Sequence, residues 1–136
     1  EGTVFISVAD KDKPAVVEIA KEFAQLSFKI LATRGTYKFL KERGVDAQMV
    51  LKYSEGRPNI VDLILNREVD LVINTPSGKR ERSDAYYIRR AAVQEKIPYY
   101  TTLRAARAVL EAIKEYRRVG GKLEVYALQD IFAEIR

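Results

Sequence analysis

VDLVINT, residues 69–75, is the stretch that decides the fold. Its apolar residues run together instead of alternating with polar ones. A continuous apolar run of this length reads as a buried strand of a parallel sheet, covered by helices on both faces. Its neighbours agree. On the amino-terminal side, NIVDLILNR (59–67) follows Pro58 with helical spacing. On the other side, DAYYIRRAAVQE (84–95) is helical, with Ser83 as its expected cap. IPYYT (97–101) is the next strand, and LRAARAVLEAIKEYRR (103–118) is a long helix ended by Gly120-Gly121.

Toward the amino terminus the same alternation continues. TVFISV (3–8), FKILAT (28–33) and a weaker AQMVL (47–51) read as strands. KPAVVEIAKEFAQL (13–26) is a helix with Pro14 in its first turn, and TYKFLKER (36–43) is a short helix stopped by Gly44. KLEVYAL (122–128) and LQDIFAEI (128–135) close the chain. The expected fold is an α/β, Rossmann-like sandwich: one domain over residues 1–136, with a central five-stranded, mostly parallel sheet flanked by helices. Crossovers should be right-handed.

Composition narrows the chemistry. Of 136 residues, 47% are hydrophobic, enough for a core. Lysine and arginine number 24 against 19 acidic residues, and the net charge of +5 favours an anionic partner. There is no cysteine, which excludes disulfides and thiolate metal sites. There is no histidine, which removes the commonest metal ligand and the commonest acid–base group near neutral pH. No apolar run approaches the roughly 20 residues of a membrane span, and no signal-peptide pattern opens the chain. The expectation is a cytoplasmic location without membrane contact. The opening Glu1, in place of Met, suggests processing or excision from something longer.

Ligands of parallel sheets lie beyond the carboxyl ends of the strands, so the residues after each strand carry the functional reading. Ser7 and ADKDK, with Lys11 and Lys13, follow the first strand. Thr33-Arg34-Gly35-Thr36 follows the second. Lys52 and YSEGRPN, with Arg57, follow the third. Asn74-Thr75-Pro76-Ser77-Gly78-Lys79-Arg80 follows the fourth, and Thr101-Thr102 the fifth. Hydroxyls, lysines, a glycine that permits close approach and a helix amino terminus describe a cradle for phosphate or carboxylate. Each also has a plain structural use: Thr36 as a helix cap, the lysines as solvated loop charges, PSGKR as a turn. Neither GxxxxGK[ST] nor GxGxxG is present, so the residues alone do not choose the anion.

SVADKDK, ILATRGT, KYSEGRPNIVD, VINTPSGK and SDAYYIRRAAVQEKIPYYTTL occur in this order. Together they resemble the carboxyl-terminal regulatory domain of the carbamoyl-phosphate synthase large chain, a member of the methylglyoxal synthase-like group, from Thr3 to about Ile135. The resemblance implies an effector-binding domain without chemistry of its own. ATP, Mg or Mn, and K would belong to the rest of a longer ligase, and no cofactor to this domain. Its partners would be a nucleotide monophosphate of the UMP or IMP type, the remainder of the large chain and, through it, the glutaminase small chain. The pathways served would be pyrimidine and arginine synthesis. N-acetylglutamate is the effector in urea-cycle members.

By motif, Lys13, Thr33, Thr36 and Lys52 are implied phosphate contacts. Asn74 and Ser77 are implied contacts to base or ribose, and Tyr99 and Thr101 match positions that reach ornithine between this domain and the synthetase body. Where the enterobacterial pattern has a second threonine after NT, this chain has Pro76, without hydroxyl or N–H. Lys52, aromatic in the N-acetylglutamate branch, suits a phosphate. The alternative reading is a lyase acting on dihydroxyacetone phosphate, as methylglyoxal synthase does on this fold. Against it stand the missing histidine and Arg57 at the position of that enzyme's catalytic aspartate, although Asp62 and Asp84 remain as carboxylates. A nucleic-acid module is disfavoured: YYIRRAAVQEK interleaves aromatics and arginine, but at helical spacing that divides Tyr86, Tyr87, Ile88 and Ala91 between core and solvent.

Overall fold

The computed structural model describes residues 2–75 and 79–119, with side chains from 79 to 82 left aside. Five strands form one sheet in the order β3-β2-β1-β4-β5, and every pairing is parallel. β1 (Gly2–Val8) is central, β2 (Phe28–Ala32) and β4 (Leu71–Thr75) flank it, and β3 (Gln48–Met49) and β5 (Tyr99–Tyr100) are short edges. Helices α1 (Lys13–Gln25), α2 (Arg34–Glu42), α3 (Ile60–Leu65), α4 (Lys79–Gln94) and α5 (Leu103–Arg118) connect or follow them.

The unbroken apolar runs have a direct cause. Successive side chains of a strand point to opposite faces, and both faces here are covered. Val4, Ile6 and Val8 of β1 join Ile30, Leu71 and Ile73 beneath α1 and α5. Phe5, Leu31 and Val72 point the other way, into a second core with Ile60 and Ile64 of α3 and Ile88, Ala91 and Ala92 of α4. An all-parallel sheet requires this double cover. On the first face Val16, Ile19, Ala20 and Phe23 of α1 are buried, and Phe23 meets Phe28 edge-on at 5.2 Å between ring centres. Such a ring contact adds to the burial of both rings.

Several local expectations shift. α2 begins at Arg34, two residues before the expected start, so Thr33 and not Thr36 holds the cap position. α4 begins at Lys79, which places Ser83 inside the helix instead of at its cap. Its first turn is all polar, so apolar spacing could not reveal it. β3 spans two residues where five were expected, because Gln48 and Met49 lie exposed at a sheet edge with little burial to extend them. α3 covers only Ile60–Leu65. Asn59 caps it by accepting from the Val61 N–H at 2.9 Å, and the Asp62 carboxylate accepts in return from the Asn59 N–H at 2.8 Å. α5 matches its expected range, capped by the Thr102 hydroxyl accepting from the Ala105 N–H at 3.1 Å. Gly120-Gly121 and the two closing segments after them lie outside the described residues.

Glu22 joins α1 to α5. Its carboxylate takes hydrogen bonds from Lys114 and, at 2.8 Å, from Arg107. Lys114 first, then Arg107, holds that carboxyl below the usual glutamate range. A lowered carboxyl contributes stability above its unfolded-state value and loses it as the pH falls through its folded-state value. Thermal melts at pH 7 should therefore show Glu22→Gln less stable by no more than about 3 °C, since the cations are partly exposed. That gap should shrink as the pH falls below the ordinary glutamate value and vanish once it passes the lowered one.

Candidate functional site

Strand order reverses between β1 and β4, because β1 leads to β2 on one side while β4 lies on the other. A cavity of about 250 Å³ opens there, at the carboxyl ends of the strands. β1 supplies Ser7 and Val8, the β2–α2 junction Thr33, Gly35 and Thr36, and β4 Asn74 and Thr75. Asp10 enters from the 3₁₀ turn before α1, Lys13 from the first residue of α1, Lys52 from the segment after β3, and Asp84 and Ile88 from α4. Lys13, Thr33, Thr36, Lys52 and Asn74, five residues singled out from sequence, thus meet in one space. Ser77 and Pro76 lie outside the described residues.

Two of the threonine hydroxyls are arranged as donors. The Thr36 oxygen accepts from the Val8 N–H at 3.1 Å, and the Thr75 oxygen from the Ala9 N–H at 2.9 Å. Ser7 and Thr33 share a hydroxyl–hydroxyl bond of 2.7 Å. Thr33, Thr36 and Thr75 are all buried. A buried hydroxyl whose oxygen is already engaged by the main chain keeps its own proton to give. At α2 the Thr33 side chain makes no cap bond, having turned to Ser7. The first N–H groups of α2, at Gly35 and Thr36, therefore face the cavity without a side-chain acceptor. A Cβ built on Gly35 would lie 3.6 Å from the Lys13 ammonium nitrogen, so the missing side chain keeps the space beside that charge open. The Lys13 side chain is only 15% exposed.

Three cavity residues escaped the sequence reading. Thr75 lay within a segment read for Asn74 and Ser77. Asp84 stands in the sequence only as a leftover carboxylate; with Ala85 and Ile88 it forms a one-turn face on α4. Asp10 lay in a segment read for its lysines. It ion-pairs with Lys13, and that lysine holds the Asp10 carboxyl below the usual aspartate range. An incoming anion must compete with it. Asp10→Asn is therefore expected to tighten the chain's affinity for inorganic phosphate by about two- to five-fold, measurable by titration calorimetry.

Tyr99 and Thr101 line a different cavity at the end of β5, together with Arg89 and Lys96. The two spaces touch through one bond: the Asn74 amide donates to the Tyr99 phenol oxygen at 3.2 Å. Burial pushes the Tyr99 phenol up, against that hydrogen bond. Asp62 belongs to neither cavity, being held by Arg57 at 2.8 Å. Among the described residues, no three His, Cys, Asp or Glu side chains gather as metal ligands, and no helix is long and apolar enough to cross a membrane.

Fold and cavity define a class: a doubly wound α/β domain with a donor-rich recess where the strand order reverses. The chain belongs to the MGS-like domain family, which matches residues 15–101. It is 64% identical over 135 residues to the carbamoyl phosphate synthase large chain, C-terminal section, of Aquifex aeolicus, covering 97% of this chain and 25% of that protein. The corresponding section from Methanopyrus kandleri is 54% identical over 132 residues, covering 96% of this chain and 24% of that protein. The carbamoyl phosphate synthase large chain of Mesorhizobium japonicum is 49% identical over 132 residues, covering 97% of this chain and 11% of that protein. The chain thus spans a quarter or less of these relatives. Among solved structures, methylglyoxal synthase from Elizabethkingia anophelis NUHP1 superposes with a TM-score of 0.66 at 21% identity, covering 81% of this chain and 77% of its own. ForH superposes with a TM-score of 0.67 at 18% identity, covering 99% and 91%. At these identities the structural likeness concerns the fold.

Proposed function

We propose that this chain is the effector-binding regulatory domain of a carbamoyl phosphate synthase large chain and that the cavity holds a nucleotide monophosphate of the UMP or IMP type. The observation that carries the reading is the meeting of Lys13, Lys52, two hydroxyls that accept from the main chain and an uncapped helix end in one recess. That set offers donors and positive charge to a phosphate from several directions. Thr33, Thr36, Lys13 and Lys52 are assigned to the phosphate, and Asn74, with Ser77, to base or ribose. Tyr99 and Thr101 would face ornithine or the synthetase body. In the full-length ligase the domain would bias carbamoyl phosphate synthesis, for pyrimidine and arginine pathways, through the effector's differential affinity for two states. ATP, the metal ions and the glutaminase small chain would engage the rest of that protein.

Titration calorimetry of the chain with UMP, IMP and N-acetylglutamate in turn tests this. Saturable binding of a nucleotide, with N-acetylglutamate silent, is the expected result; heat only from N-acetylglutamate would reverse the assignment. The lyase alternative has the shared fold in its favour. Its candidate carboxylates are all engaged: Asp10 by Lys13, Asp84 by Ser54 and Asp62 by Arg57. Incubation with dihydroxyacetone phosphate should yield no methylglyoxal above the uncatalysed rate.

A further inference from the structure

Lys52 reaches the cavity from a segment with little regular structure of its own. The two-residue edge strand β3 precedes it, and a three-residue 3₁₀ turn, Tyr53–Glu55, follows. A lysine side chain loses much rotamer freedom when it is held in place, and a mobile main chain beneath it would add to the cost of ordering on binding. The turn is nevertheless tied down from across the molecule. The Ser54 N–H donates to one oxygen of Asp84 at 3.1 Å, and the Ser54 hydroxyl donates to the other at 3.0 Å. The Tyr53 ring stacks on Tyr87 with centres 4.1 Å apart and planes 15° apart. Asp84 and Tyr87 lie one turn apart on α4, and Asp84 is buried in the cavity wall.

A buried carboxylate beside an anion site is unfavourable unless its charge has a structural use. Both Asp84 oxygens have one: they fasten the residue two places after Lys52. We propose that Asp84 and Tyr87 are positioning residues that clamp the Tyr53–Ser54 turn onto α4 and so hold Lys52 in place for the ligand's phosphate. The proposal rests on reading the cavity as a nucleotide site. It also ties Lys52 to the helix that both cavities share, since Arg89, Ala92 and Val93 further along α4 line the second one.

A double-mutant cycle tests the clamp. Ser54→Ala removes one hydroxyl from an exposed turn, and Tyr87→Leu removes the stacked ring. Probes are UMP and inorganic phosphate, titrated into the 136-residue chain. Each substitution is expected to weaken UMP binding about five-fold when Lys52 is present and to have almost no effect in the Lys52→Ala background. Ser54→Thr, which keeps the hydroxyl, should bind like the unsubstituted chain. Without ligand, amide exchange at Lys52–Glu55 should quicken in Ser54→Ala and Tyr87→Leu alike. If the losses simply add to that of Lys52→Ala, or exchange of the turn does not change, the clamp is wrong while the nucleotide reading stands. If the unsubstituted chain takes up neither UMP nor phosphate, the nucleotide reading itself is wrong and the clamp falls with it.

Discussion

Lys13→Met should weaken UMP binding by about ten- to a hundred-fold while shifting the melting temperature by no more than about 2 °C. Methionine keeps an unbranched apolar stem beside Gly35 and removes the ammonium group, with its charge and its N–H donors. The Lys13 side chain is only 15% exposed, so its attraction for an anion is less screened than that of a fully solvated lysine. Its present partner is Asp10, whose side chain is 97% exposed. That pair contributes little to folding, and losing it costs the fold little. Removing the cation also leaves the Asp10 carboxylate at the cavity mouth without its Lys13 partner, which adds repulsion to the lost attraction. Salt supplies an internal check. The affinity of the unsubstituted chain should fall with ionic strength more steeply than that of Lys13→Met. Equal slopes would mean that Lys13 is not in contact with the ligand's charge.

The sequence carried the architecture because parallel sheets leave a strong local mark. Val69–Thr75 and Thr3–Val8 are apolar on both faces, and only a strand between two helical layers tolerates that. The junction Thr33–Thr36 was readable for a related reason: the carboxyl edge of such a sheet is where polar residues interrupt apolar ones. What escaped depended on contacts between distant segments. Gly35 is a poor helix former, which hid the true start of α2, and the polar first turn of α4 gave no periodicity to read. With α4 starting at Lys79, Asp84 stands in its second turn and lies in the cavity wall. Its bond to Ser54 spans 30 residues, and no local pattern announces it. Thr75 and Asn74 both line the cavity although neighbours on a strand face opposite ways, because the cavity sits at the strand's end and not on one of its faces.

Thr36→Val separates the folding role of a hydroxyl from its binding role. Thr36 is 2% exposed, and its oxygen accepts the Val8 N–H. Valine has nearly the same shape and no acceptor. The Val8 N–H would be left buried without that partner, a cost of about 1–3 kcal/mol, visible as a melting temperature lower by roughly 3–10 °C. The same substitution removes the proton that Thr36 would give to a ligand, so UMP affinity should fall by about five- to twenty-fold at temperatures where the variant is fully folded. Thr36→Ser keeps the hydroxyl and loses one methyl group, worth at most about 1 kcal/mol. It should restore the affinity almost entirely and most of the stability. Thr33→Val offers the contrast: its hydroxyl is bonded to the Ser7 hydroxyl and to no main-chain donor. Ser7 sits at the half-buried strand end and can turn its hydroxyl toward solvent, so Thr33→Val should cost the fold less than Thr36→Val while still weakening UMP. Equal destabilisation by the two valines would mean that the Thr36–Val8 bond is not what holds this edge of the sheet. An affinity that Thr36→Ser fails to restore would place the Thr36 hydroxyl outside the ligand's reach.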